Sequence, residues 1–331
     1  MNVLLPQPIE VEAVRRLEEA GHTVVTAPNP TPETVLPLMK NAHAVVLRTG
    51  ITMTRGLIEA ADDLRVISRT GGGFDNVDVE AATDNEIIVT SNLGVNSISV
   101  CEHVLAMMLS LAKQLPLLDR AVRNDNYSIR YQNLSRDLNG KTIGLLGLGR
   151  IGFQVATACA SVFKMRVLAC DPHLADEIKS QYTDLVAFVD KKQLCKESDV
   201  ISVHVPLTDE THHALSTAEF ELMKSEAIVI NTSRGPVIDE DALIDALEHQ
   251  IIGGAGLDVQ NHEPPDPKSP LLKLDKVLLT PHSAALTNEC VIRMATDAAD
   301  RTIEVLSGKK PLNVANPEVL GAQRWQHLAS S

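Results

Sequence analysis

Short apolar runs separated by amphipathic stretches repeat along most of this chain. In the first hundred positions, runs at residues 3–5, 23–25, 44–47, 66–68 and 87–89 are dominated by Val, Ile and Leu and read as buried strands. Helical patterns at 11–20, 32–39 and 55–61 lie between them, and in the first of these Val11, Val14 and Leu17 share one face. Strands and helices alternating in this way imply a parallel sheet. Residues 97 to about 122 read as one long helix whose run from Val104 to Leu109 calls for burial on most sides. It reads as the connection into a second domain, followed by a polar, irregular stretch at 123–139.

The alternation then restarts. Strands are expected at 142–146, 166–170, 200–203, 227–230, 254–257 and 277–280, with a short one at 186–190, and helices at 151–162, 217–223 and 239–247. That is a six- or seven-stranded doubly wound unit. One more amphipathic helix, 288–306, has its simplest topology if it crosses back to the first sheet. The expected class is α/β, with two Rossmann- or flavodoxin-like parallel-sheet domains. The first, 1–97 with 289–331, is discontinuous and substrate-binding; the second, 98–288, carries the nucleotide site.

Composition narrows the field. At 331 residues two domains are the natural expectation, and aromatics at 3% leave the cores to aliphatic side chains, which suits sheets buried on both faces. A net charge of -13 repels polyanions, so no nucleic-acid partner is expected, although local arginines can still attract a small anion. The cysteines, Cys101, Cys159, Cys170, Cys195 and Cys290, are odd in number and form no CxxC pair. No metal site or disulfide framework is expected, and a cytoplasmic location fits. Cys101 reads as a small buried residue. With no signal-peptide pattern and no apolar run near the ~20 residues that span a bilayer, no membrane role is expected.

The glycine pattern Gly147-Leu-Gly-Arg-Ile-Gly152 follows a strand and opens a helix, the context a dinucleotide fingerprint requires. Gly147 allows the tight turn, Gly149 a close approach of pyrophosphate, and Gly152 tight helix–strand packing, with Arg150 as an added cation and Ile151 beside it. Asp171, ending the next strand, can accept both ribose hydroxyls and repels a 2′-phosphate, which favours NAD over NADP. His204, Val205 and Pro206 end a further strand and offer an apolar wall for adenine.

Three islands beyond this turn carry reaction chemistry. An unperturbed imidazole has its pKa near neutrality, so His282 can serve as base or acid. Glu263 can orient its imidazole, and Arg234, in the Asn231-Thr-Ser-Arg-Gly235 island with Thr232, can grip carboxylate and carbonyl oxygens together. A base, an orienting acid and a fixed cation are what hydride transfer to a 2-keto acid needs. The glycines at 71–73 offer a nest of amides for a carboxylate.

These motifs, with residues 69–78, 138–152, 204–208, 256–258, 262–264 and 280–282, resemble the D-isomer-specific 2-hydroxyacid dehydrogenases, in their phosphoglycerate dehydrogenase and hydroxypyruvate reductase branch. The resemblance implies catalytic roles for Arg234, Glu263 and His282. It implies that Asp258 contacts the nicotinamide amide and that Gly72 and Gly73 hold the substrate carboxylate. It places Arg48 and Arg69 toward a distal anionic group and Arg130 near a dimer partner's site. It further implies NAD as cofactor, a small anionic 2-hydroxy or 2-keto acid as substrate, a homodimer, and closure of the two domains around a cleft. Cys101 stands where the family has a smaller residue, followed by Glu102 and His103. No regulatory domain follows within these residues, so feedback through one is not expected. Within the same fold, Glu263 argues against formate oxidation; an alternative of another class is an NAD(H)-sensing corepressor-like binding protein.

Overall fold

The computed structural model describes residues 1–132 and 134–328. Position 133, in the stretch expected to be irregular, and 329–331 of the tail lie outside the described residues. The chain forms two compact units, Met1–Asn96 with Leu286–Ser331, and Ser97–Ala285.

The first unit is built on five parallel strands, β1 (Asn2–Leu5), β2 (Thr23–Thr26), β3 (Ala44–Leu47), β4 (Val66–Arg69) and β5 (Ile88–Thr90), in the order β2-β1-β3-β4-β5. Alternate residues feed two cores, as the period of a strand demands. Leu4, Val45, Leu47, Ile67 and Val89 pack with Val35, Met39, Leu57 and Ile58 on one face. Val3, Leu5, Val46, Val66 and Ile88 pack on the other with Leu17 and with Ala295, Ala298 and Ala299. Those alanines lie on the helix Asn288–Leu306, which therefore does return to the first sheet. The helix Val11–Glu19 buries Ala13 and Leu17, whereas Val11 is 72% exposed. The expected Val11–Val14–Leu17 face is thus rotated, because the contact with the alanine-rich helix uses the small Ala13.

The second unit holds seven parallel strands, β6 (Thr142–Leu146), β7 (Arg166–Cys170), β8 (Ala187–Phe188), β9 (Val200–Val203), β10 (Ile228–Asn231), β11 (Gly254–Leu257) and β12 (Val277–Leu279). Their order is β12-β11-β10-β9-β6-β7-β8, so the winding reverses at β6, which pairs with both β7 and β9. The carboxyl ends of strands at such a reversal form the ligand crevice of this architecture. The helix Ser97–Ala112 packs Met107 and Leu111 over Gly256, where a side chain would come within 3.4 Å of both.

One long helix at 97–122 was expected; two are found, Ser97–Ala112 and Leu115–Arg123, separated by Gln114 at φ 52. Pro116 lies in the first turn of the second helix, the place where a missing amide costs nothing, and it could not continue the first. Two short helices that the apolar pattern did not announce, Val79–Asp84 and Lys191–Glu197, are each started by an aspartate. Asp78 and Asp190 accept the amides of Ala81 and Gln193. Among the described residues no single helix is long and apolar enough to cross a membrane; the two helices from Ser97 to Arg123 reach that length only as a pair bent by 58°.

Candidate active site

The turn after β6 shows why three glycines are spaced as they are. Gly147 sits at φ +92, a left-handed backbone that side chains rarely adopt, and a Cβ there would strike Val205 Cγ1 at 2.9 Å. A Cβ on Gly152 would lie 2.7 Å from the Gly147 carbonyl oxygen, so the helix Arg150–Phe163 can start this close to the strand only without one. At Gly149 a Cβ would meet nothing within 4 Å, leaving open space at the helix N-terminus. Arg150 is exposed in that first turn, while Ile151 packs partly into the core. Free amide donors, a helix dipole and open space fit a pyrophosphate.

Asp171, just after β7, is anchored rather than loose. Its Oδ2 accepts the Leu148 amide at 2.9 Å, and its Oδ1 accepts the amides of His173 and Leu174 at 3.2 and 3.1 Å. Its carboxylate is thereby fixed beside the glycine turn, suited to a ribose diol. His204 follows β9 with its Cδ2 3.5 Å from where a Gly152 Cβ would be. Burial pushes this imidazole down to about 4, so it is neutral at physiological pH, and its Nε2 finds no hydrogen-bond partner among the described residues. Val205 lines the turn, whereas Pro206 is exposed.

Arg234, Glu263 and His282 follow β10, β11 and β12, three adjacent strands of one sheet. The sheet therefore brings their segments to a single edge, although they are far apart in sequence. His282 Nδ1 lies 2.8 Å from Glu263 Oε2. An ionised carboxylate can only accept, so Nδ1 carries the hydrogen and Nε2 is left for other chemistry. Both side chains are accessible, at 44% and 38%. Glu263 is itself held by the Gln260 amide, 3.2 Å from Oε1. Arg234 directs Nη1 to the Ser233 carbonyl at 2.7 Å, and its own carbonyl accepts from Asn231 Nδ2 at 2.9 Å. Thr232 lies between them, half-buried. Gly235 is buried against the next loop: a Cβ there would lie 2.1 Å from the Gln260 carbonyl.

Asp258 is 1% exposed and holds the turn that carries His282. Its Oδ1 accepts the Thr280 hydroxyl at 2.6 Å and the Ser283 amide at 2.8 Å, and its Oδ2 accepts the Ala284 amide at 2.9 Å. Its backbone carbonyl accepts the His282 amide at 2.7 Å. His282 itself adopts φ 50, a backbone disfavoured for side-chain-bearing residues that persists only when its surroundings enforce it. Sequence reasoning missed Thr280, Ser283 and Ala284 as partners of Asp258. Only the position of Thr280 beside His282 hinted at them.

The first unit holds Arg48, Gly72 and Gly73. Arg48 follows β3 and is paired with Glu10, Nη1 to Oε1 3.2 Å, and reaches the Pro8 carbonyl at 3.4 Å. Gly72 lies near the Asn96 side chain, and the Gly73 carbonyl accepts from Arg69 Nε at 3.0 Å. Arg69, 6% exposed, also donates to the Leu47 carbonyl at 3.1 Å. It is turned inward, bracing the glycine turn, because β4 ends with this side chain on the buried face. Burial raises the Cys101 thiol to about 11, in keeping with an inert core residue.

A doubly wound sheet with a phosphate-binding turn, an anchored ribose acid and a histidine–glutamate pair at adjacent strand ends defines a dinucleotide-dependent α/β dehydrogenase fold. The chain belongs to the D-isomer-specific 2-hydroxyacid dehydrogenase family, and its residues 105–284 match that family's NAD binding domain. It is similar to the D-3-phosphoglycerate dehydrogenase of Archaeoglobus fulgidus, 38% identical over 316 residues that cover 96% of this chain and 59% of the relative. It is similar also to the glyoxylate reductase of Korarchaeum cryptofilum, 36% identical over 88% of each chain. The crystal structure of a D-lactate dehydrogenase from Aquifex aeolicus, complexed with NAD and lactic acid, matches with a TM-score of 0.81. It is 29% identical, covering 97% of this chain and 98% of that one. The chain spans 59% of the length of the two archaeal D-3-phosphoglycerate dehydrogenases it matches.

Proposed function

We propose that this chain is an NAD(H)-dependent D-2-hydroxyacid dehydrogenase acting on a short anionic acid, either 3-phosphoglycerate and 3-phosphohydroxypyruvate or hydroxypyruvate. The observation that carries the reading is the His282–Glu263 pair, with Nδ1 committed to Glu263 at 2.8 Å and Nε2 without a hydrogen-bond partner among the described residues.

The glycine turn from Gly147 to Gly152 and Asp171 hold the dinucleotide, which when bound supplies or accepts the hydride. In the reducing direction, His282 Nε2 gives its proton to the carbonyl oxygen as that oxygen gains charge. In the oxidising direction the same atom removes the hydroxyl proton. Glu263 fixes the ring, and Arg234 grips the carboxylate and polarises the carbonyl. Gly72 and Gly73, in the first unit, offer backbone amides suited to a carboxylate. Asp258, through the 280–284 turn, holds His282 in its disfavoured backbone.

The two substrate readings differ at Arg48. A phosphorylated acid must draw Arg48 away from Glu10, whereas hydroxypyruvate need not. A homodimer is part of the proposal. It is supported by exposed apolar residues along 115–134 of the second unit, with Leu115, Val122, Tyr127, Tyr131 and Leu134 between 52% and 79% accessible. Five free cysteines support a reducing, cytoplasmic setting.

The test is NADH consumption with 3-phosphohydroxypyruvate, hydroxypyruvate, glyoxylate and 2-ketobutyrate, with NADPH as control. Turnover of any of them with NADH supports the dehydrogenase. Tight NADH binding without turnover overturns it in favour of a sensing protein.

A further inference from the structure

We propose that His103 is a positioning residue for His282, acting through Thr280; this rests on His282 being the acid/base. His103 stands on the helix Ser97–Ala112, which packs on the same sheet. Its Nε2 lies 3.0 Å from Thr280 Oγ1, and Thr280 Oγ1 lies 2.6 Å from Asp258 Oδ1.

The direction of each hydrogen bond follows from what each group can give. Asp258 already accepts two backbone amides, and an ionised carboxylate has no proton to donate. The Thr280 hydroxyl proton therefore points at Asp258. That leaves only a lone pair facing His103, so the hydrogen lies on His103 Nε2. His103 is held as the Nε2–H tautomer, and the chain runs one way: His103 to Thr280 to Asp258. The direct separation between His103 Nε2 and Asp258 Oδ1 is 3.6 Å, too long for a hydrogen bond, so Thr280 is the link.

The consequence falls on the next turn. Asp258 ties down the amides of Ser283 and Ala284 on one side of His282, and its carbonyl takes the amide of His282 itself. With His103 in place, the Thr280 hydroxyl has one orientation, and Asp258 is fixed between the helix Ser97–Ala112, which packs on the sheet, and the ends of β11 and β12. Without His103 the hydroxyl is free to rotate and the clamp on the 280–284 turn loosens, so Nε2 of His282 is less well aimed. The effect belongs to kcat and not to dinucleotide binding.

The test compares wild type with His103→Ala and His103→Gln, whose side-chain amide can still donate to Thr280. In wild type, nitrogen-15 NMR of labelled histidines at alkaline pH, with His103 assigned by its loss in His103→Ala, is expected to show a protonated Nε2; a protonated Nδ1 overturns the proposal. His103→Ala is expected to lower kcat roughly tenfold to a hundredfold while the NADH dissociation constant stays within about twofold, and His103→Gln to recover most of the rate. An unchanged kcat in His103→Ala, or an equal loss in both variants, overturns it. If wild type turns over no 2-keto acid, the functional reading fails by itself. Amide exchange of the peptide spanning 280–285 then decides: faster exchange in His103→Ala with wild-type exchange in His103→Gln upholds the positioning role, and identical exchange in all three overturns it.

Discussion

Gly235→Ala tests whether the loops of Arg234 and Glu263 work as one piece. The added Cβ would lie 2.1 Å from the carbonyl carbon and oxygen of Gln260 and 2.6 Å from the Asn261 amide nitrogen. Side chains essentially never approach backbone closer than 3.0 Å, so the two loops must part by about 0.9 Å. Gln260 cannot yield freely, because its amide holds Glu263 Oε1 at 3.2 Å, and the Asn261 amide is tied to Glu240 Oε2 at 3.1 Å. The shift therefore passes to Glu263. Added to its 2.8 Å contact with His282, it gives about 3.7 Å, beyond hydrogen-bonding range. Overpacking of this size costs about 1–3 kcal/mol of stability, and a misplacement near 1 Å costs roughly a hundredfold in rate. Thermal unfolding and steady-state reduction of the preferred keto acid, with NADH binding as control, are the assays. An alanine variant with wild-type kcat and wild-type melting temperature would refute the reasoning.

Four further outcomes follow from the same geometry. His282→Ala is expected to bind NADH as wild type does while losing about 10²–10⁴-fold in kcat; equal loss of binding and turnover would make His282 a structural residue. Asp171→Ser removes the carboxylate that accepts the Leu148, His173 and Leu174 amides, so the NADH KM should rise at least ~tenfold and the preference over NADPH shrink; unchanged discrimination in initial-rate assays would remove Asp171 from cofactor selection. Glu10→Gln releases Arg48 from its ion pair, so KM for 3-phosphohydroxypyruvate should fall and that for hydroxypyruvate stay level; a parallel change in both would take Arg48 out of phosphate recognition. Burial lowers His204 to about 4 from its ordinary 6.5, so the stability it contributes is complete above about pH 6.5 and is lost as pH falls toward 4. This amounts to about 3 kcal/mol, and urea unfolding across that range should show a shallower acid limb in His204→Asn than in wild type, an identical limb counting against the assignment.

Much of the architecture was legible because its signals are local. Strands buried on both faces appear as unbroken Val, Ile and Leu runs, and both parallel sheets could be read from them. The turn from Gly147 to Gly152 is legible because a left-handed backbone and a close helix–strand contact admit only glycine. The break after Ala112 was written in Pro116, and the short helices starting after Asp78 and Asp190 in their capping aspartates, signals weaker than the apolar period that masked them.

The residue types at the candidate site were legible for the same reason: each follows a strand, where a parallel sheet presents side chains to ligand. Their working state was not. Whether Arg69 faces a ligand or reaches back to the Leu47 carbonyl, whether Asp258 meets solvent or saturates itself on Thr280, Ser283 and Ala284, and which nitrogen of His282 is left free all depend on partners 19 to 26 positions away, beyond the reach of any local pattern. Local sequence specifies which groups a segment carries and how its backbone prefers to run. Hydrogen bonds have direction and short reach, so only the packed tertiary structure decides which donor meets which acceptor, and with that which atoms remain for chemistry.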